Sequence, residues 1–128
     1  MKLLLIRHSE PHSQPDAVDP PLTEEGHRLA ARTADWLAGE GITTVYSSST
    51  RRALETAEVL AERTGAPLVV QDGLVEFGGG YEYVPVHELR RTDDARWAAM
   101  AAGDLTVYGT DAETFRAGVT AAIEAIVD

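Results

Sequence analysis

Apolar positions bunch into short runs, and helix-spaced stripes alternate with them. Leu3 to Ile6 is an unbroken apolar run that ends at Arg7-His8-Ser9. Such a run predicts a strand over residues 2–6, buried on both faces. Residues 9–21 read as a loop, with prolines at 11, 15, 20 and 21. Thr23 then caps a predicted helix. Glu24 and Glu25 lie at the positive end of its dipole, and Leu29, Thr33, Trp36 and Leu37 form its apolar stripe. Gly39 or Gly41 is expected to end it.

Ile42 to Tyr46 is rich in β-branched residues and predicts a second strand. It runs into Ser47-Ser48-Ser49-Thr50, where a second helix is expected, with Ala53, Ala57, Leu60 and Ala61 inward and Gly65 as its stop. Pro67 to Val70 predicts a third strand. Residues 73–91 read as irregular around Gly78-Gly79-Gly80. A third helix is expected from Thr92-Asp93-Asp94 to Gly103. A fourth opens at Thr110, where Thr110 and Glu113 have capping-box spacing, and carries Phe115, Val119, Ile123 and Ile126 as its stripe. Strand–helix–strand–helix–strand predicts right-handed crossovers and an α/β fold, a three-layer α/β/α arrangement with a mostly parallel sheet. Ligands gather at the carboxyl ends of such strands. Arg7, His8 and the Ser47–Arg52 turn all fall there.

The 128 residues fit one domain, 1–128. Without cysteine, disulfides, thiolate metal sites and cysteine nucleophiles are excluded. The same absence fits a reducing cytoplasm. A net charge of −10 opposes binding to nucleic acid or anionic membranes. Four strongly apolar residues after Lys2 fall short of a signal-peptide core, and no run approaches a membrane span. His12, His27 and His87 share neither a helix face nor a ligand spacing, so no metal is expected.

Three patches carry chemistry. Arg7-His8 presents a guanidinium that can grip phosphate oxygens beside a nucleophilic imidazole. Ser48 to Ala57 is a polar turn that feeds arginines into a helix start, where backbone N–H groups favour an anion. Leu74-Val75-Glu76-Phe77-Gly78 frames a carboxyl with apolar residues, so burial is expected to keep Glu76 protonated as a general acid. Together they suit phosphoryl transfer without an organic or metal cofactor.

Five ordered segments resemble those of the histidine phosphatase superfamily, the phosphoglycerate mutase-like branch 1 fold. Leu4-Leu5-Ile6-Arg7-His8-Ser9-Glu10-Pro11 is similar to its strand-plus-Arg-His-Gly signature. Pro21-Leu22-Thr23-Glu24-Glu25-Gly26 resembles its Pro-Leu-Thr-x-x-Gly helix start. Tyr46 to Ala57 resembles its Ser-x-x-x-Arg-Ala-x-x-Thr-Ala segment. Leu74-Val75-Glu76 resembles its Leu-x-Glu segment, and Gly109 to Phe115 its Gly-x-x-x-Glu-Ser helix opening.

The resemblance implies that His8 is the phosphorylated nucleophile, that Arg7 and Arg52 bind the phosphoryl group, and that Glu76 donates the proton. Arg52 is preferred to Arg51 because it directly precedes Ala53. Ser9 stands where glycine is usual, and Gln14 near where mutases place a substrate-holding asparagine; both are candidate phosphate-binding residues. The implied activity is phosphomonoester hydrolysis of a small phosphorylated substrate. A mutase-type phosphotransferase and a non-catalytic phosphate-binding relative are the alternatives.

The family's second histidine lies in a Ser-His-Gly-Gly type segment beyond the helix that reaches Asp128. The expectation is therefore a C-terminally incomplete fragment, with a cut-down relative as the alternative. Without the strand of that segment, the first strand would keep an open edge, which invites a homo-oligomer.

Overall fold

The computed structural model describes residues 1–14 and 17–128. Pro15 and Asp16, inside the expected 9–21 loop, lie outside the described residues. Helix α1 spans Glu24–Leu37, strand β1 Val45–Ser47, helix α2 Arg51–Thr64 and strand β2 Leu68–Val70. A 3₁₀ turn at Asp72–Leu74, helices α3 (Val86–Arg91) and α4 (Ala95–Ala101), a 3₁₀ turn at Thr106–Tyr108 and helix α5 (Ala112–Val127) follow.

The fold is α/β with parallel strands. β1 and β2 pair in parallel, with Val45 opposite Leu68, Tyr46 opposite Val69 and Ser47 opposite Val70. Helix α2 supplies the crossover between them, as the alternation of elements predicts. Its stop is Gly65, at φ +72°, whose N–H donates to the Ala61 carbonyl at 2.9 Å. α1 packs on α2, and their buried faces meet in one core with β1: Ala34, Leu37, Val45, Ala57, Leu60 and Ala66. Truncating a leucine in such a core typically costs about 2–5 kcal/mol. α5 docks on the 3₁₀ turn at Asp72–Leu74, with Ala122 against Gly73.

Several expected elements are corrected. Residues 2–6 form no strand. Among the described residues the sheet has two strands, not three. Leu3, Leu4, Leu5 and Ile6 are all exposed, Leu5 at 85%. An apolar run specifies burial only where a partner strand supplies ladder bonds, and periodicity carries no information about partners. The run instead lines one side of a cleft of about 920 Å³, with Ile42, β1 and, from α5, Ile123 and Ile126 on its other walls. Lys2 pairs with Glu40 at its start.

The α1 stripe is also shifted. Gly26, Ala30, Ala34 and Leu37 face inward, while Trp36 is 79% exposed and Leu29 is exposed as well. Small side chains let two helices approach closely, so alanines rather than the larger residues take the contact face. The second strand starts later than expected, at Val45. Arg52 joins Ala57 and Leu60 as the buried residues of α2, whereas Ala53 and Ala61 are only partly covered. Residues 73–91 hold helix α3, which was not expected. The third predicted helix begins at Ala95 under an Asp94 cap. The cap of α5 is Asp111, whose carboxylate accepts from Glu113 N and Thr114 N; the Thr110–Glu113 box is not formed. Among the described residues, no helix is long and apolar enough to cross a membrane.

Candidate active site

The loop before α1 closes on itself. His12 N donates to the Pro21 carbonyl at 2.8 Å and Thr23 N to the Glu10 carbonyl at 2.9 Å, flanking an antiparallel bridge between Pro11 and Leu22. Thr23 Oγ1 accepts from Gly26 N at 2.8 Å and caps α1. Gly26 lies so close to this loop that a Cβ there would sit 2.2 Å from the Glu10 carbonyl oxygen. Only glycine permits that approach.

The histidine turn is tied to two helices. Ser9 Oγ donates to the Gly26 carbonyl of α1 at 2.6 Å. Ser9 N donates to Thr56 Oγ1 of α2 at 2.9 Å, and that hydroxyl donates in turn to the Arg52 carbonyl at 2.8 Å. Thus the residue after His8 is bonded to the same turn of α2 that carries Arg52. The Ser9 hydroxyl proton serves the fold, which leaves none for a phosphate oxygen.

His8 is half-buried. Its Nδ1 lies 2.8 Å from the Ser9 carbonyl oxygen. A carbonyl only accepts, so Nδ1 carries the proton and Nε2 keeps its lone pair in the neutral ring. Burial lowers the His8 pKa below its ordinary 6.5. The positive charges of Arg52 and Arg7 push the same way, against the opposing Ser9 bond.

Arg52 is 1% exposed, yet its Nε and NH1 groups have no hydrogen-bond partner. A buried charge with two idle donors is costly unless something completes it. Around it stand the Glu76 carboxylate, paired with NH2, and Asp19 Oδ1, 3.6 Å from NH1. The Tyr83 ring has the guanidinium carbon 4.5 Å from its centroid. The same ring meets His8 edge-on at 6.2 Å between centroids. Tyr83 is thus shared by His8 and Arg52. Burial pulls the Arg52 pKa below its ordinary value, with Tyr83 and Asp19 opposing.

Glu76 does not have the shielded setting expected of it. Its side chain is 47% exposed, and its partner is a guanidinium. Arg7 is exposed and lines the 920 Å³ cleft together with His8, Ser48, Thr50 and Glu76. His8, Arg7, Arg52 and Glu76 are therefore gathered in one region. Gln14 is exposed; its carbonyl accepts from Ala17 N at 3.2 Å, and no contact among the described residues brings its side chain to the cluster. Arg51 turns away to Glu55 at 2.8 Å, as a solvated helix residue should. His27 also pairs with Glu55, at 3.5 Å. No group of three or more His, Asp or Glu side chains that could hold a metal ion occurs among the described residues.

Sequence reasoning missed Asp19 and Tyr83. Asp19 accepts from Arg51 N at 2.8 Å, so the anion expected at the start of α2 is a carboxylate of the chain itself. Tyr83 N donates to the Ala17 carbonyl at 2.7 Å and joins the two loops over Arg52. A capping pattern centred on Arg51 could have pointed to an upstream acid; nothing local marks Tyr83.

A family model for the histidine phosphatase superfamily (branch 1) matches residues 3–128. Over 85 residues the chain is 32% identical to phosphoserine phosphatase 1 of Hydrogenobacter thermophilus, a match covering 62% of this chain and 40% of that protein. It is 36% identical over 83 residues to the 2,3-bisphosphoglycerate-dependent phosphoglycerate mutase of Thermoplasma acidophilum, covering 60% and 42%. Among solved structures, mycobacterial glucosyl-3-phosphoglycerate phosphatase superimposes with a TM-score of 0.54 at 26% identity, over 71% of this chain and 46% of that one. The matched stretch thus spans less than half the length of each of these three proteins.

Proposed function

The chain belongs to the histidine phosphatase superfamily (branch 1), and on that footing we propose that it hydrolyses small phosphomonoesters through a phosphohistidine on His8. The observation that carries this reading is Arg52, a buried cation with two idle N–H groups, tied through Thr56 to the turn that presents a histidine. A guanidinium with unengaged N–H groups can donate to the non-bridging oxygens of a phosphoryl group.

In the first step the His8 Nε2 lone pair forms the N–P bond while the ester P–O bond breaks. Arg52 and Arg7 stabilise the charge on the non-bridging oxygens, and the leaving oxygen takes its proton from the carboxylic acid form of Glu76, which thereby becomes the carboxylate. The Nδ1–H bond to the Ser9 carbonyl holds the ring in place as it becomes cationic. In the second step water attacks phosphorus, Glu76 takes its proton, and the N–P bond returns its electrons to Nε2. Glu76 must leave Arg52 to act, and its half-exposed position leaves it free to move.

Hydrolysis is favoured over mutase-type transfer by the segment after Glu76, which carries no lysine or arginine before Arg90. Arg90 lies over the Trp97 ring at 5.9 Å, and Arg91 pairs with Glu88. Incubation with labelled p-nitrophenyl phosphate should give product and an acid-labile phosphoprotein. His8→Ala should remove the label and lower turnover by on the order of a thousandfold or more. Label that survives in His8→Ala would overturn the assignment.

A further inference from the structure

Asp19 bears on which phosphomonoesters the site accepts, an inference that rests on the phosphatase reading and deepens it. Its carboxylate is held at the start of α2 by Arg51 N at 2.8 Å and faces the idle NH1 of Arg52 at 3.6 Å. The loop that carries it is pinned from the other side by Tyr83 N on the Ala17 carbonyl. Arg51, the other cation at this helix end, is engaged by Glu55. Among the described residues, Arg7 lines the cleft and Arg52 keeps unengaged N–H groups, and Asp19 is the carboxylate that stays beside Arg52 once Glu76 turns to act as the acid.

A phosphoryl dianion then takes up the charge of Arg7 and Arg52, with Asp19 left beside it as a negative neighbour. A second anionic group on the alcohol part would meet Asp19 with no cation to offset it. A neutral or cationic alcohol part would meet no such penalty, and a cationic one would gain from Asp19.

We propose that Asp19 is a specificity-determining residue that restricts the site to phosphomonoesters whose alcohol part is neutral or cationic, against those carrying a further carboxylate or phosphate near the ester oxygen.

The test compares phosphoethanolamine, glycerol phosphate and 3-phosphoglycerate as cationic, neutral and anionic probes. In the wild-type chain kcat/KM should fall in that order, with the anionic ester about tenfold below the neutral one, the order expected for one extra like-charge contact near a protein surface. Asp19→Asn keeps an oxygen to accept the Arg51 N–H, so the loop anchor survives. It should bring the anionic and cationic esters to within about threefold of each other. An unchanged ratio in Asp19→Asn would overturn the proposal.

Calorimetric affinities of the same probes for His8→Ala, with and without Asp19→Asn, read the selectivity with no turnover required. Binding in the expected charge order without hydrolysis by the wild-type chain would refute the phosphatase reading and leave the role of Asp19 standing. Hydrolysis without charge preference would do the reverse. Failure of all three probes to bind would overturn both.

Discussion

Gly26→Ala sets two physical effects against each other at the third position of α1. In an open helix, replacing glycine by alanine stabilises by about 0.5–1 kcal/mol, because glycine loses more backbone freedom on folding. Here the added Cβ would stand 2.2 Å from the Glu10 carbonyl oxygen, where real Cβ contacts stay beyond about 3.0 Å. That oxygen cannot yield cheaply, because it accepts from Thr23 N at 2.9 Å. Helix and loop must part by roughly 0.8 Å, and overpacking of this kind costs about 1–3 kcal/mol. The net loss centres on about 1 kcal/mol and reaches about 2.5 kcal/mol at most, or a fall in Tm of roughly 4 °C and up to about 10 °C for a chain of this size. The strain also reaches the site, because the Gly26 carbonyl anchors Ser9 Oγ at 2.6 Å, next to His8. A displacement near 1 Å can cost on the order of a hundredfold in catalysis. Thermal unfolding followed by circular dichroism, with kcat/KM on p-nitrophenyl phosphate, reads both quantities. A Gly26→Ala chain with equal or higher Tm and undiminished turnover would refute the reasoning, since propensity alone would then govern the position.

Two further outcomes are expected. Arg52→Ala should weaken inorganic phosphate binding and cut kcat/KM by about a hundredfold or more, while Arg51→Ala changes either by less than about threefold; equal losses would mean that Arg51 shares the phosphate site. A proton NMR titration should place the His8 midpoint below 6.5, and Arg52→Ala should move it upward by removing a repelling charge. Between the two values an unfolded His8 holds a proton that the folded one lacks. Its share of stability is therefore intact above pH 6.5 and is lost as the pH falls toward the lowered midpoint. A midpoint at or above 6.5 would contradict the burial and charge assigned to it.

Elements set by local chemistry were legible in the sequence. Thr23 and Gly65 mark helix ends because capping and left-handed backbone are local demands, and both stand where expected. Arg52 was separable from Arg51 by its place in a motif, and the two indeed take opposite fates, one buried and one solvated. What failed was set by partners distant in the chain. Leu3 to Ile6 reads as a buried strand only if something pairs with it. Trp36 belongs to the apolar stripe only if α1 and α2 stand far enough apart to admit it. Glu76 sits among apolar neighbours in sequence, yet its environment is decided by Arg52, 24 positions earlier. Tyr83 meets Arg52 from 31 positions further along the chain, in a loop joined to Ala17 by a backbone bond.

The single hydroxyl of Thr56 has a mechanical consequence. It receives the Ser9 amide and gives its own proton to the Arg52 carbonyl one turn earlier on α2. Any rocking of α2 relative to the sheet therefore drags the imidazole along with the guanidinium. Their separation is buffered against thermal vibration of the surrounding scaffold, as two fittings bolted to one beam keep their spacing when the beam sways.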